Sequence, residues 1–207
     1  MTLARQAICI SYSAGADGSA VGHAVAERLG FRYVDDDVIA EAAEWADLDP
    51  ALVADAERRK PLVARLLGRV AEQSSPTRLP TGAPTRAMPT DADLRMLITD
   101  VLRASADAGS VVIVAHAASF ALAGREVLRV LVTASPETRV KRIGSARGID
   151  ERGAAKALKE EDAGRADYLK RFYGVEREQP THFDLVINTD TLTADRAADI
   201  VVAATAA

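Results

Sequence analysis

The feature that most restricts the fold lies near the start of the chain. A short apolar strand pattern at residues 7–11 runs into a loop of small residues, Tyr12-Ser13-Ala14-Gly15-Ala16-Asp17-Gly18-Ser19. A helical pattern begins near Ser19 or Ala20, with Val21, Val25 and Leu29 at the spacing of one helix face, and Gly30 stands where a C′ glycine closes a helix. A buried strand that feeds a glycine-bearing loop and then a helix belongs to an α/β domain, because a parallel neighbour strand can be reached only through such a crossover.

The rest of the chain repeats the alternation. A second strand is expected at residues 31–34, followed by the acidic triplet Asp35-Asp36-Asp37 and helical patterns over 38–46 and from 50 to about 73. Residues 74–91 interleave Pro76, Pro80, Pro84 and Pro89 with Ser, Thr, Gly and Arg, which reads as a mobile loop. Asp91 or Asp93 caps the next helix, which carries Leu94, Leu97, Ile98, Val101 and Leu102 on one side. The β-branched run 110–115 predicts a strand covered on both faces. A short helix over 118–123 and a strand over 127–133 follow. Ser135-Pro136-Glu137 is a helix start, with Ser as N-cap and Pro as first helical residue, and Val140 and Ile143 turn inward. A helix from Asp150 or Glu151 towards Tyr173, with room for a break, a strand over 183–188 and a helix over 194–203 complete the pattern. Strand–helix alternation of this kind implies a parallel sheet flanked by helices, with right-handed crossovers.

Length and charge narrow the function classes. At 207 residues the chain suits one well-packed domain over 1–207, and with 48% apolar and 27% charged residues it has the balance of a soluble protein. A net charge of −4 gives no overall basic field, so neither nucleic acid nor an anionic membrane is an expected partner. The single cysteine, Cys9, lies in an apolar run and reads as a buried small hydrophobe, which excludes an internal disulfide framework. No signal-peptide pattern and no membrane-spanning run is visible, so the expected location is the cytoplasm. Three histidines, His23, His116 and His182, show no metal-ligand spacing.

The loop after the first strand is a candidate anion site. It offers backbone N–H groups, and the helix start adds further donors and a positive dipole end. A plain strand-to-helix turn fits the glycines equally well. The loop does not match G-x-x-x-x-G-K-[ST]: it lacks the lysine that would reach a transferred phosphate and the hydroxyl that would hold Mg2+.

Five stretches, in order along the chain, resemble the cytidylate-kinase-like family of nucleoside-monophosphate kinases. They are Ile8 through Gly22 with Ala26-Glu27-Arg28-Leu29-Gly30-Phe31-Arg32-Tyr33-Val34-Asp35; Val111-Val112-Ile113-Val114-Ala115-His116-Ala117-Ala118; Val130 through Ile143, containing Ser135-Pro136-Glu137-Thr138-Arg139; Asp162-x-x-Arg165-x-x-Tyr168 with Phe172-Tyr173-Gly174; and His182-Phe183-Asp184-Leu185-Val186-Ile187-Asn188-Thr189. The resemblance implies a three-layer P-loop kinase fold with a helical lid over about residues 139–173. It also implies phosphoryl transfer from ATP, with Mg2+, to a nucleoside monophosphate, CMP or dCMP first.

Carried over position by position, the resemblance assigns Gly15, Ala16, Asp17, Gly18, Ser19 and Ala20 to the donor phosphates. Aligned without a gap, Gly18 falls at the lysine position and Ala20 at the Mg2+-binding hydroxyl, while Ser19 and His116 stand where family members carry arginine. Arg139, Arg142 and Arg165, with His116, are the candidate catalytic groups. Asp35, Arg147 and Tyr168 are the candidate acceptor contacts. Bland readings stand beside these: a solvated helix face for Arg139 and Arg142, an intrahelical Asp162–Arg165 pair, helix capping for Asp36 and Asp37, packing for Tyr33 and Trp45, a turn role for Asp184 and Asn188. Two functional alternatives remain open as well, a catalytically degenerate member that binds a nucleotide or a protein partner, and a kinase for a different small acceptor.

Overall fold

The computed structural model describes residues 5–35, 91–115 and 117–206. The helices expected over 38–46 and 50–73, most of the proline-rich segment 74–91, and Asp36, Asp37, Trp45 and His116 lie outside the described residues. Five strands and six helices are described: β1 Ala7–Tyr12, α1 Gly18–Leu29, β2 Arg32–Val34, α2 Asp91–Asp107, β3 Val111–Val114, α3 Ala118–Ala121, β4 Leu128–Thr133, α4 Pro136–Arg147, α5 Glu151–Tyr173, β5 Leu185–Asn188 and α6 Ala194–Ala204. The strands form one sheet in the order β2-β3-β1-β4-β5, with every neighbouring pair parallel. The expected α/β architecture of a parallel sheet between helices is the observed one.

The alternation of side chains explains the three layers. Ile8 and Ile10 of β1, Val112 and Val114 of β3 and Leu128, Val130 and Val132 of β4 share one core with Val21, Val25 and Ala26 of α1 and Ala197, Ala198 and Val201 of α6. Cys9, Val111 and Ile113 point the other way, into a core with Ile98 and Leu102 of α2 and Tyr168, Leu169 and Phe172 of α5. Strands β1 and β3 are buried residue after residue, because both of their faces are covered. Burial also pushes the Cys9 thiol far above its ordinary pKa, so it behaves as a small hydrophobe.

Helix boundaries follow local chemistry. Gly30 closes α1 at φ 65, and its N–H reaches back to the last helical carbonyls. Ser135 caps α4 by accepting from the Thr138 N–H at 3.3 Å, with Pro136 as the first helical residue. Asp150 caps α5 in the same way, accepting from Gly153 N at 2.8 Å. Three expectations need correction. Strand β3 excludes Ser110, whose φ of 47 is incompatible with extended backbone. Strand β5 starts at Leu185 rather than at residue 183, since the Phe183 N–H closes the preceding turn on Pro180 O at 3.1 Å. Helix α5 runs unbroken for 23 residues, so the break that the sequence left room for is absent. A small third cluster of Ile143, Ala154 and Leu158 joins α4 to α5, with Ala14 and the half-buried Val140 packed against it. The loop after β1 thus touches α4 and α5 directly.

Candidate functional site

Strand β1 is central in the sheet, and its carboxyl end opens into the loop 13–17 before α1. In an open parallel sheet this is where a ligand crevice forms. The loop is tied down by Ser13 N donating to Val132 O at 3.0 Å and Ala16 N donating to Ser13 O at 2.9 Å. Among the described residues the loop's backbone bonds make no use of the Gly15, Asp17 and Gly18 N–H groups, and the first turn of α1 adds its own unbonded donors. Gly15 at φ 75 is required twice over, since a Cβ there would also lie 2.8 Å from Arg139 O. Asp17 holds φ 60, an uncommon conformation that aspartate tolerates better than most residues.

Gly18 packs against the Tyr12 side chain so closely that any Cβ at Gly18 would overlap the Tyr12 Cβ and ring. Counting G-x-x-x-x-G-K from Gly18 places Tyr12 at the first glycine. Asp17 then stands at the second glycine, where it keeps a positive φ of 60, and the Tyr12 ring at the first fills the space that a side chain at Gly18 would need. The same count corrects the hydroxyl position. Ser19, not Ala20, directly follows the lysine position, and its side chain is exposed.

Three arginines of α4 and α5 hold the loop and the end of β1 from behind. Arg139 Nε donates to Ala14 O at 2.7 Å, Arg142 Nη1 to Gly15 O at 3.4 Å, and Arg165 Nη1 to Tyr12 O. Each also has a carboxylate. Asp162 accepts from both terminal nitrogens of Arg139, Asp17 pairs with Arg142 Nε at 3.0 Å, and Glu178 accepts from Arg165. Arg139 is only 8% exposed, so the solvated-face reading fails for it. The side chains of Arg165 and Glu178 are 12% and 7% exposed, a nearly buried ion pair. Asp162 serves Arg139 across the α4–α5 contact, so the intrahelical Asp162–Arg165 pair does not form.

Sequence reasoning missed Thr189 as a site residue. Its Oγ1 donates to Ala16 O at 3.1 Å and lies 3.2 Å from Thr133 O, while Arg142 donates to both its Oγ1 and its carbonyl. One residue, 1% exposed, thereby links the loop, the end of β4, α4 and the end of β5. Its appearance in the motif that ends the fifth stretch was the available signal.

The remaining candidates are dispersed. Tyr168 is 2% exposed and lies in the core beside Phe172. Arg147 ends α4 on the surface and pairs with Glu161. Asp35 follows β2 directly and is half-buried. Tyr33 stacks on His23 at 3.7 Å, a packing role. Asp184 accepts from Arg129 N and from the Arg129 guanidinium, which holds its carboxyl below the ordinary carboxylate range. Asn188 Oδ1 accepts from Asp190 N, and Asp190 in turn accepts from Ser135 N, which lowers its pKa.

The loop's donors suit phosphate oxygens. Among the described residues no group of three or more His, Cys, Asp or Glu could hold a metal ion by itself. The exposed Asp17 and Ser19 are residues of the loop and helix start that carry side-chain oxygens. Among the described residues no helix is long and apolar enough to cross a membrane.

Residues 7–191 match the model of the cytidylate kinase-like family. The chain belongs to that family. A cytidylate kinase from Methanoculleus marisnigri is 31% identical over 85 residues, 41% of this chain and 47% of that protein. An S-adenosylmethionine-dependent nucleotide dehydratase from Lacinutrix mariniflava is 35% identical over 78 residues, 38% of this chain and 16% of that protein. The match thus spans less than half the length of either curated relative. Among solved structures, a protein from Eubacterium ventriosum superposes with a TM-score of 0.68 at 17% identity, covering 97% of this chain and 98% of that one. A shikimate kinase from Bacteroides thetaiotaomicron gives 0.51 at 16% identity, covering 94% and 95%. The fold is that of the P-loop kinases.

Proposed function

We propose that this cytidylate kinase-like protein is an ATP-dependent kinase acting on a nucleoside monophosphate, with CMP or dCMP as first acceptor. The observation that carries the reading is the loop 13–17 at the carboxyl end of the central strand, with unused amides in front and arginine-held carbonyls behind. Both curated relatives act, by their names, on nucleotides. Bound ATP would supply the phosphoryl group, and Mg2+ would screen its charge.

In this reading Gly15, Ala16, Asp17, Gly18, Ser19 and Ala20 hold the donor phosphates through backbone N–H groups. Arg139 and Arg165 are positioning residues: the buried Arg139 and the half-buried Arg165 spend their donors on backbone carbonyls of residues 12 and 14 and on carboxylates. Arg142, 28% exposed at its side chain, is the guanidinium that a phosphoryl group can reach. Asp35 is kept as a candidate acceptor contact, His116 as a candidate catalytic group outside the described residues, and the buried Tyr168 supports the helix that carries Arg165.

A second reading has its own support. All three arginines are neutralised by carboxylates and the lysine position is a glycine, which suits a member that binds nucleotide without turnover. Incubation with ATP, Mg2+ and each common nucleoside monophosphate, followed by chromatography, separates the two. Diphosphate formed from one acceptor, and lost in Arg142→Ala, supports the kinase and names the acceptor. ATP binding with no diphosphate from any acceptor sinks the nucleotide-kinase reading.

A further inference from the structure

The Asp17 carboxylate belongs to the loop after β1 and pairs with a guanidinium of α4. Asp17 is the N-cap of α1, yet its side chain makes no cap hydrogen bond to the helix. It turns instead to Arg142, with Oδ2 3.0 Å from Nε. Arg142 is fixed on its other edge by Thr189 and Gly15 O, so the guanidinium is locked in place by the loop's own acid. The other two arginines are paired differently. The carboxylates of Asp162 and Glu178 come from α5 and from the segment after it, whereas Asp17 belongs to the loop. Its side chain is 44% exposed, and so is within reach of a competing anion from solvent.

Resting on the reading of this loop as the nucleotide phosphate site, we propose that Asp17 is a resident anion that a phosphate must displace from Arg142, and that it sets the affinity of the loop. With the loop empty, the ion pair satisfies Arg142 and places a negative charge beside the unused amides. A phosphate entering the loop meets that charge, and gains the Arg142 guanidinium only when the carboxylate swings away. The consequence is a loop that binds highly charged ligands less tightly than its donor set allows, and selectivity that depends on charge rather than on the base.

Asp17→Asn is the diagnostic change. Asparagine keeps the shape and tolerates positive φ, while the charge and the strong pairing to Arg142 are lost. Isothermal titration of wild-type and Asp17→Asn protein with ATP at fixed ionic strength, and with adenosine as an uncharged probe, reads the effect, with circular dichroism to verify folding. Removing one unit charge next to the phosphates is expected to tighten ATP binding about fivefold or more, with adenosine affinity unchanged. Wild-type binding of ATP with equal or weaker binding by Asp17→Asn overturns the role of Asp17 and leaves the loop's assignment standing. Equal tightening for adenosine also overturns it, because the effect would not concern phosphate. No ATP binding by either protein overturns the assignment of the loop and the role of Asp17 together.

Discussion

Replacing Arg165 by methionine removes one half of an ion pair whose side chains are only 12% and 7% exposed. Glu178 would keep a carboxylate with no cationic partner among the described residues, and its Oε1 has no hydrogen-bond partner even in the intact protein. Screening by water is slight at this burial, so the cost is that of an uncompensated buried charge, about 3–5 kcal/mol. For a domain of this size that lowers Tm by roughly 6–20 °C. The double variant Arg165→Met/Glu178→Leu removes the stranded charge as well. It should recover most of the loss and remain about 1–2 kcal/mol below wild type, because the donor to Tyr12 O is gone. Urea denaturation followed by far-UV circular dichroism at pH 7 reads all three proteins. A cost below about 1 kcal/mol for the single variant, or a double variant no more stable than the single, would refute the reasoning. Loop function should fail in the double variant even where stability returns, since the carbonyl that ends β1 is then unsupported.

Gly18→Lys should not restore the missing ammonium: its Cβ must displace Tyr12 at the root of the side chain, an overpacking cost of about 1–3 kcal/mol, and chemical denaturation should show a lower midpoint than wild type. The pairing of Asp184 with Arg129 depresses the Asp184 pKa in the folded state, so its contribution is fully present above the ordinary value of about 3.9 and is lost as pH falls below that value through the folded-state pKa. Asp184→Asn should therefore lower stability at pH 7 and flatten the acid limb of a stability-against-pH curve; an unchanged acid limb would contradict the assignment.

Much of the fold was legible because it rests on local chemistry. Ser135-Pro136 marks a helix start by its own hydroxyl and fixed φ, and Gly30 marks a helix end by its freedom at positive φ. The β-branched run of β3 announces a strand buried on both faces. The site was legible only in outline. Arg139 and Arg142 are three residues apart on one helix, which suggests convergence on a ligand, yet they diverge: one reaches Ala14 O and Asp162, the other Gly15 O, Asp17 and Thr189. Their partners lie on other elements, and helical periodicity carries no information about which acid another element will present. The Asp162–Arg165 spacing misled for the same reason, since a neighbour on α4 offered Asp162 a buried guanidinium. Tyr12 and Gly18 are six positions apart, and their exchange of bulk is visible only once the loop is folded.

The central claim is that the loop after β1 holds a nucleotide's phosphates on its backbone amides. Titration of 15N-labelled protein with ATP and Mg2+, followed in 15N–1H correlation spectra, tests it directly. The account predicts saturable shifts concentrated at the Gly15, Asp17, Gly18 and Ser19 amides, with Arg142 Nε following. Saturable binding that leaves those amides unmoved would contradict it.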